Sequence, residues 1–265
     1  MHRVLEATDI AASYGQVPVL EGLSVRFDRR RLTALVGPNG CGKSTFLKAV
    51  MGFMPITGGR ITLDGQSVQG IGRRALARRI AYLPQENHCP DYMTLGELIE
   101  LAGYARYSLI GGPSARDRQL FSEALEIVGL SGMARRPVNA LSGGQRQRAW
   151  IAMVLAQDAE IILMDEPVNH LDVKYQYAVL ELVQGLTRRL GKTVVTVLHD
   201  LNLTTAFADD VVMLLDGRVV AAGPVSETVN TDNVRDVFGL ETDIFDRSGR
   251  LICVPRISGA PAVTA

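Results

Sequence analysis

The sequence predicts an α/β fold: buried parallel strands alternating with helices, an antiparallel β region, and an inserted α-helical subdomain. Three observations carry that prediction. Leu32–Val36, Ile161–Met164 and Thr193–Val197 are continuously apolar or β-branched, as strands buried on both faces of a parallel sheet are. Val211–Leu215 and Arg218–Val220 flank Asp216-Gly217, a pair suited to the positive φ angles of a tight hairpin turn. Thr94 to Leu141, by contrast, carries helical periodicity and little strand signal.

Taken in order, Leu32–Val36 feeds a Gly-rich loop. Lys43–Met51 follows as a helix with Phe46, Leu47 and Val50 at helical spacing. Gly59–Leu63 and Ile80–Leu83 read as further strands. In the helical stretch, Leu95, Leu98, Ile99 and Ala102 precede Leu120, Ala124, Ile127 and Val128, and Ile110-Gly111-Gly112-Pro113-Ser114 breaks the two apart. Ser142 opens a helix running to about Gln157. Val225 to Gly239 reads as short helices, and Ser258–Ala265 as a loose end. The expected organisation is one domain: an α/β core from 1–88 and 142–225, a helical lobe over 89–141, and a C-terminal extension over 226–265.

A chain of 265 residues suffices for one large α/β domain with such a lobe. Apolar residues make up 47% and charged ones 21%, which excludes a disordered chain. The 28 basic and 28 acidic residues cancel, so no electrostatic argument favours nucleic acid or anionic lipid. Arg73-Arg74 with Arg78-Arg79 form a local cluster, either a solvated helix face or a docking face. Cys41, Cys89 and Cys253 form no Cys-x-x-Cys pair and no disulfide framework, so a reducing compartment is expected. Met1–Ile10 has no apolar segment, so no signal peptide is expected. No apolar run approaches the roughly 20 residues that cross a bilayer, so any membrane span must come from another chain.

Gly37-Pro38-Asn39-Gly40-Cys41-Gly42-Lys43-Ser44, followed by Thr45, fits G-x-x-x-x-G-K-S between a strand and a helix. Its glycines let backbone N–H groups turn inward onto phosphate oxygens, aided by the dipole of the following helix. Lys43 reaches the β- and γ-phosphates and Ser44 offers a hydroxyl to Mg²⁺. The alternative is a Gly-rich turn without ligand. The Cys41 thiol is expected to be shielded by bound nucleotide. Asp165 and Glu166 end an apolar strand: Asp165 would hold Mg²⁺ and Glu166 would polarise an attacking water. Ser142 and Gln145 fit a helix capping box. Gly143 and Gly144 between them strip side chains from a helix N-terminus and bare its N–H groups for an anion.

Leu141-Ser142-Gly143-Gly144-Gln145, placed between these two nucleotide motifs, resembles the signature of ABC-type ATPases, and the resemblance spans about Leu5 to Gly223. It implies a P-loop NTPase (RecA-like) core that uses ATP and Mg²⁺. It also implies a head-to-tail homodimer, in which Ser142–Gln145 of one subunit close over ATP on the phosphate loop of the other. Further roles are implied residue by residue. Tyr14, in Ser13-Tyr14-Gly15, would stack on adenine, or else be an ordinary strand aromatic. Gln85, after Tyr82-Leu83-Pro84, would contact Mg²⁺ or the attacking water and sense the transporter partner. Asp172, in Asn169-His170-Leu171-Asp172, would cross the dimer interface. His199 would contact the γ-phosphate. Pro167-Val168 departs from the commoner Pro-Thr form, while Glu166 and Asp172 keep their spacing.

Gln145–Met153, Val197–Leu203 and Val237-Phe238-Gly239-Leu240 are similar to importer ATPases serving ferric siderophores, haem and cobalamin. Trp150 points to the siderophore branch, although core packing explains it equally. Gly103-Tyr104-Ala105-Arg106-Tyr107 departs from the Gly-Arg-Tyr-Pro-like stretch of that branch and leaves the partner, and so the cargo, open. The implied function is the ATP-hydrolysing subunit of an iron(III)–siderophore importer, peripheral on the cytoplasmic face of the cell (inner) membrane. Its partners would be a second copy, transmembrane permease subunits and, indirectly, an extracytoplasmic binding protein, with no nucleic acid. Gln85–Ala102, including Met93, Leu95 and Leu98, is the candidate permease dock, with core packing the alternative for the two leucines. Import of haem, cobalamin or another metal chelate is the second reading. A soluble ABC ATPase of translation or DNA repair is disfavoured by the single cassette and the short separation of its motifs. A non-hydrolysing binder is disfavoured by Lys43, Glu166 and His199.

Overall fold

The computed structural model describes residues 3–107 and 111–256; the expected break at Ile110 and the end from Ser258 lie wholly or partly outside them. A six-stranded sheet forms the centre. It comprises β3 (Leu32–Val36), β6 (Ile80–Leu83), β7 (Ile161–Met164), β8 (Thr193–Val197), β9 (Asp210–Leu215) and β10 (Arg218–Pro224). The order is β10-β9-β3-β8-β7-β6, parallel except for the β9–β10 hairpin. Asp216 and Gly217 turn that hairpin with φ of 47° and 74°. A second, antiparallel sheet is built from β1 (Arg3–Tyr14), β2 (Val17–Asp28), β4 (Gly58–Leu63) and β5 (Gln66–Ser67), in the order β2-β1-β4-β5. The mixed α/β architecture with an antiparallel region is the one the sequence predicts.

The central strands are apolar throughout because each face meets a different core. Leu35, Ile80, Leu163, Val195 and Val212 join β1, β2, β4 and the helix α1 (Lys43–Val50). Ala34, Ala81, Ile162, Met164 and Val194 face the other way, where most of the helices cover them. Successive side chains on one strand therefore go to opposite cores, and neither set meets water.

Those helices are α3 (Leu95–Leu101), α4 (Ala115–Ile127), α5 (Gly143–Ala156), α6 (Val173–Arg188), α7 (Leu201–Phe207), α8 (Val225–Thr228) and α9 (Thr231–Phe238), whereas α2 (Arg73–Ala77) buries Leu76 in the core with α1. Capping boxes start α3, α4 and α5 at Thr94, Ser114 and Ser142. Trp150 of α5 is 7% exposed, so it packs in the core. Arg74 and Arg78 donate to the Ala105 carbonyl at 3.0 and 2.8 Å, tying α2 to the lobe that contains α3 and α4. A last hairpin, β11 (Thr242–Arg247) and β12 (Arg250–Pro255), follows α9 in what the sequence suggests only as an extension.

Before Leu32 the sequence suggests a strand only through Tyr14 and gives it no bounds, yet β1 and β2 are the longest strands among the described residues. Their register is interrupted several times. Near one such irregularity, Asp9 takes φ of 51° and Gly59 of β4 sits against the Thr8 and Asp9 carbonyls with φ of 76°. The two sheets are joined at their rim by an ion-pair ring in which Arg29 and Arg79 each contact both Asp64 and Glu160. Burial alone would raise the Asp64 carboxyl. The hydrogen bonds from Arg79 and Arg29 outweigh it and hold Asp64 below its ordinary range.

Two outcomes are expected. Gly59→Ala should lower stability by about 2–4 kcal/mol, because a Cβ there would lie 2.3 Å from two carbonyl oxygens at a positive φ; chemical denaturation measures it. Asp64 contributes stability above the unfolded carboxylate pKa, and that contribution fades as pH falls through its lowered folded value. The gap in melting temperature between native protein and Asp64→Asn should therefore be largest near neutral pH and close as pH falls below the ordinary carboxylate range.

Candidate active site

Parallel strands place their carboxyl ends on one edge of the sheet, and the loops leaving those ends build the cleft. From β3 comes Gly37–Gly42, leading into α1. From β6 comes Gln85, from β7 Asp165 and Glu166, and from β8 His199. A cleft of about 600 Å³ is lined by Asn39, Gly40, Gly42, Lys43, Ser44, Thr45, Gln85, Glu166, Asn169 and His199.

Lys43 is 5% exposed, and its Nζ donates to the carbonyls of Gly37 at 2.9 Å and Pro38 at 2.8 Å. The ammonium is thus held by its own loop, on the inner rim of the cleft. Ser44 Oγ donates to Asp165 Oδ1 at 2.9 Å, and the Tyr82 hydroxyl donates to Oδ2 at 3.3 Å. Burial raises the Asp165 carboxyl above its usual value, and the charge of Glu166 adds to the shift, against the hydrogen bonds from Ser44 and Tyr82. The Tyr82 phenol is itself pushed up by burial and by Asp165.

Glu166 adopts φ of 53°, a strained value for a side chain of its size and one that re-aims its carboxylate into the cleft. Its Oε2 accepts from Gln85 Nε2 at 2.9 Å and from Asn169 Nδ2 at 2.6 Å. His199 Nε2 lies 2.7 Å from Oε1. Three elements thus converge on one carboxylate.

Other residues singled out by sequence lie elsewhere. Tyr14 is 51% exposed and does not line the cleft. The Cys41 thiol is buried in the core with α1, so protein rather than nucleotide shields it. Ser142–Gln145 begin α5, with Ser142 Oγ accepting the Gln145 N–H and Gln145 Oε1 accepting the Ser142 N–H. Gly143 has open space beside it. Gly144 does not: a Cβ would lie 2.8 Å from the Tyr175 ring of α6, so the second glycine also serves close packing. Asp172 precedes α6 and is exposed, with no side-chain cap bond. Leu95 and Leu98 are buried in the core, which removes them from any docking surface. Tyr104 at 75% exposure and Leu101 at 50% border instead a groove of about 620 Å³, with Arg73 and Arg74 on its other wall. Sequence reasoning missed Tyr82 and Asn169 as members of the site. Their only signal is position, three residues before Gln85 and three after Glu166.

Phosphate loop, strand-end carboxylates and helical lobe on this sheet order define an ATP-binding cassette. Residues 20–169 match the model of the ABC transporter family, and the chain belongs to it. It is 39% identical over 261 residues to the petrobactin import ATP-binding protein FpuD of Bacillus anthracis, covering 98% of this chain and 96% of that one. It is 37% identical over 260 residues to the ferric enterobactin transport ATP-binding protein FepC of Escherichia coli K12, covering 97% and 96%. A bacterial ABC transporter cassette solved as a dimer superposes with a TM-score of 0.73 at 28% identity, covering 83% of this chain and 98% of that one. Among the described residues, no helix is long and apolar enough to cross a membrane.

The Gly144 contact carries its own prediction. Gly144→Ala should lower the melting temperature, and adding Tyr175→Ala should restore part of the loss. Additive losses in the double variant, read by thermal denaturation, would contradict the contact.

Proposed function

We propose that this chain is the ATP-hydrolysing subunit of an importer for an iron(III)–siderophore complex. The observation that carries the hydrolytic reading is the convergence of Gln85, Asn169 and His199 on the Glu166 carboxylate beside Lys43. The cargo reading rests on relatives named for petrobactin and ferric enterobactin that match nearly the whole chain. Haem, cobalamin or another metal chelate is the second reading, which the departure at Gly103–Tyr107 leaves open.

Backbone N–H groups of Gly37–Thr45 cradle the phosphates, and Lys43 exchanges its two loop carbonyls for phosphate oxygens. Ser44 Oγ and Asp165 Oδ1, side by side at 2.9 Å, form the hydroxyl–carboxylate pair that suits a hard cation keeping most of its waters and phosphate ligands. Mg²⁺ held there with Gln85 would neutralise charge on the β- and γ-phosphates. Tyr82 orients Asp165 by occupying its second oxygen. Glu166 orients and polarises the attacking water, and His199 and Gln85 fix that carboxylate. With ATP in place, His199 Nε2 would exchange its Glu166 oxygen for the γ-phosphate, leaving Gln85 and Asn169 on the carboxylate. Tyr14, exposed beside the loop-bearing sheet, stacks on adenine.

Ser142, Gly143 and Gln145 are absent from this cleft, which supports a site completed by a second copy. In that head-to-tail dimer Ser142–Gln145 of one subunit close over the γ-phosphate on the other, with Asp172 crossing the interface. A family cassette solved as a dimer supports association of two copies. Closure then requires ATP in both sites, which couples hydrolysis to movement of permease subunits docked in the groove between Arg73-Arg74 and Tyr104. The work is done at the cytoplasmic face of the membrane, and cargo selectivity resides in the permease and an extracytoplasmic binding protein.

Glu166→Gln should leave ATP binding intact, slow hydrolysis by about 10²–10⁴-fold, and accumulate an ATP-bound dimer detectable by light scattering; a monomer at saturating ATP and Mg²⁺ would refute the shared site. Ser142→Arg should abolish hydrolysis while each subunit still binds ATP. Uptake of radiolabelled ferric siderophore should be lost in cells carrying Glu166→Gln, with haem and cobalamin uptake retained. Unchanged siderophore uptake would transfer the cargo assignment to the second reading.

A further inference from the structure

Leu201-Asn202-Leu203, the residues that follow His199-Asp200, have no part in the chemistry above, yet Asn202 makes specific contacts. Asp200 caps α7: its Oδ1 accepts the N–H groups of Asn202 at 2.6 Å and Leu203 at 2.9 Å. The first turn of α7 is therefore rigidly joined to the segment that bears His199.

The Asn202 side chain reaches the last strand of the molecule. Its Nδ2 donates to the Cys253 carbonyl at 3.1 Å, and its Oδ1 accepts the Cys253 N–H at 2.8 Å. One amide group satisfies both backbone groups of a strand residue, as a neighbouring strand would. Thr205 Oγ1 adds a bond to the Leu251 carbonyl at 2.7 Å. The Cys253 side chain is 5% exposed, in the core that also holds Leu203 and Phe207. The hairpin β11–β12 thus lies along α7, and β11 packs on α9.

A cavity of about 70 Å³ borders His199, with Glu166, Asn169, Asp200 and Leu203 on its walls. Leu203 belongs to the turn that Asp200 caps. A shift of α7 changes this space and the position from which the imidazole reaches Glu166.

We infer that Asn202 is a positioning residue for His199: by pinning α7 to the C-terminal hairpin, it holds the imidazole at its 2.7 Å contact with Glu166. The hairpin is then part of the device that aims His199, although it lies outside the cleft. The inference rests on the role proposed above for His199. It does not require the hairpin to touch nucleotide.

The test uses the full chain, with ATP hydrolysis, equilibrium binding of a fluorescent ATP analogue and thermal denaturation measured together. Asn202→Ala should lower kcat about tenfold with KM and nucleotide affinity within about twofold of native. Asn202→Asp keeps the acceptor for the Cys253 N–H and loses the donor, so its kcat should fall between the two. Thr205→Val removes one bond to the hairpin, along with a local one to the Asn202 carbonyl, and should lower kcat less than Asn202→Ala. Rates that track melting temperature across the three variants would reduce the contact to ordinary stability and overturn the inference. An unchanged kcat in Asn202→Ala beside an inactive His199→Ala would overturn the inference alone. Native turnover in His199→Ala would overturn the role of His199 and the inference with it.

Discussion

The parallel register of β3, β8, β7 and β6 is the constraint on which the rest depends. Because these strands run the same way and are neighbours, their carboxyl ends deliver the phosphate loop, His199, Glu166 and Gln85 to one edge. The two apolar cores on either side hold that register, since slipping one strand by a residue would exchange every side chain between cores. Packing of Ala34 and Leu35 on opposite faces is therefore upstream of the chemistry at Glu166. The antiparallel sheet supports this indirectly, by closing the core in which Phe46 and Leu47 anchor the first helix behind the loop.

Electrostatics at the strand ends make the cleft unfinished by itself. Asp165 and Glu166 are adjacent carboxylates, and burial raises the Asp165 carboxyl above its ordinary value despite the charge of Lys48. Ser44 and Tyr82 each stabilise one of its oxygens, yet neither brings a positive charge. Lys43, the cation nearest the phosphate path, spends its hydrogen bonds on Gly37 and Pro38. A ligand that supplies both anionic oxygens and a hard cation relieves both conditions at once: it gives Lys43 better acceptors and gives Asp165 a counter-charge. This complementarity is a physical reason for the phosphate loop and the carboxylates to share one edge.

Legibility in the sequence followed the range of the interaction. The parallel strands were readable because continuous apolar runs of four or five residues are a local signal, and the β9–β10 hairpin was readable because Asp216-Gly217 is a local turn. β1 and β2 escaped notice although Leu23, Val25 and Phe27 alternate with polar residues. Register shifts along β1 break the period of two, so the pair announces itself only through its partner. Tyr82 was invisible for the same reason. Its hydroxyl meets Asp165 only because β6 pairs with β7, with the two residues 83 apart in the chain. Gly144 carries a second constraint that its neighbours in sequence do not announce: Tyr175, from another helix, leaves little room for a side chain there.

The same distinction separates what this chain can determine from what its partners must. The contacts this chain makes around Glu166, Asp165 and Lys43 bear on hydrolysis, and none of them discriminates one iron chelate from another. The surface with freedom to vary is the groove beside Tyr104 and Leu101, where exposed apolar side chains face Arg73 and Arg74 without taking part in the core. Arg74 and Arg78 also hold the Ala105 carbonyl, so the groove and the attachment of the lobe to α2 share residues. A partner seated there would press on the joint between lobe and core. Such a push would reach Ser142 through the lobe and Gln85 through the core.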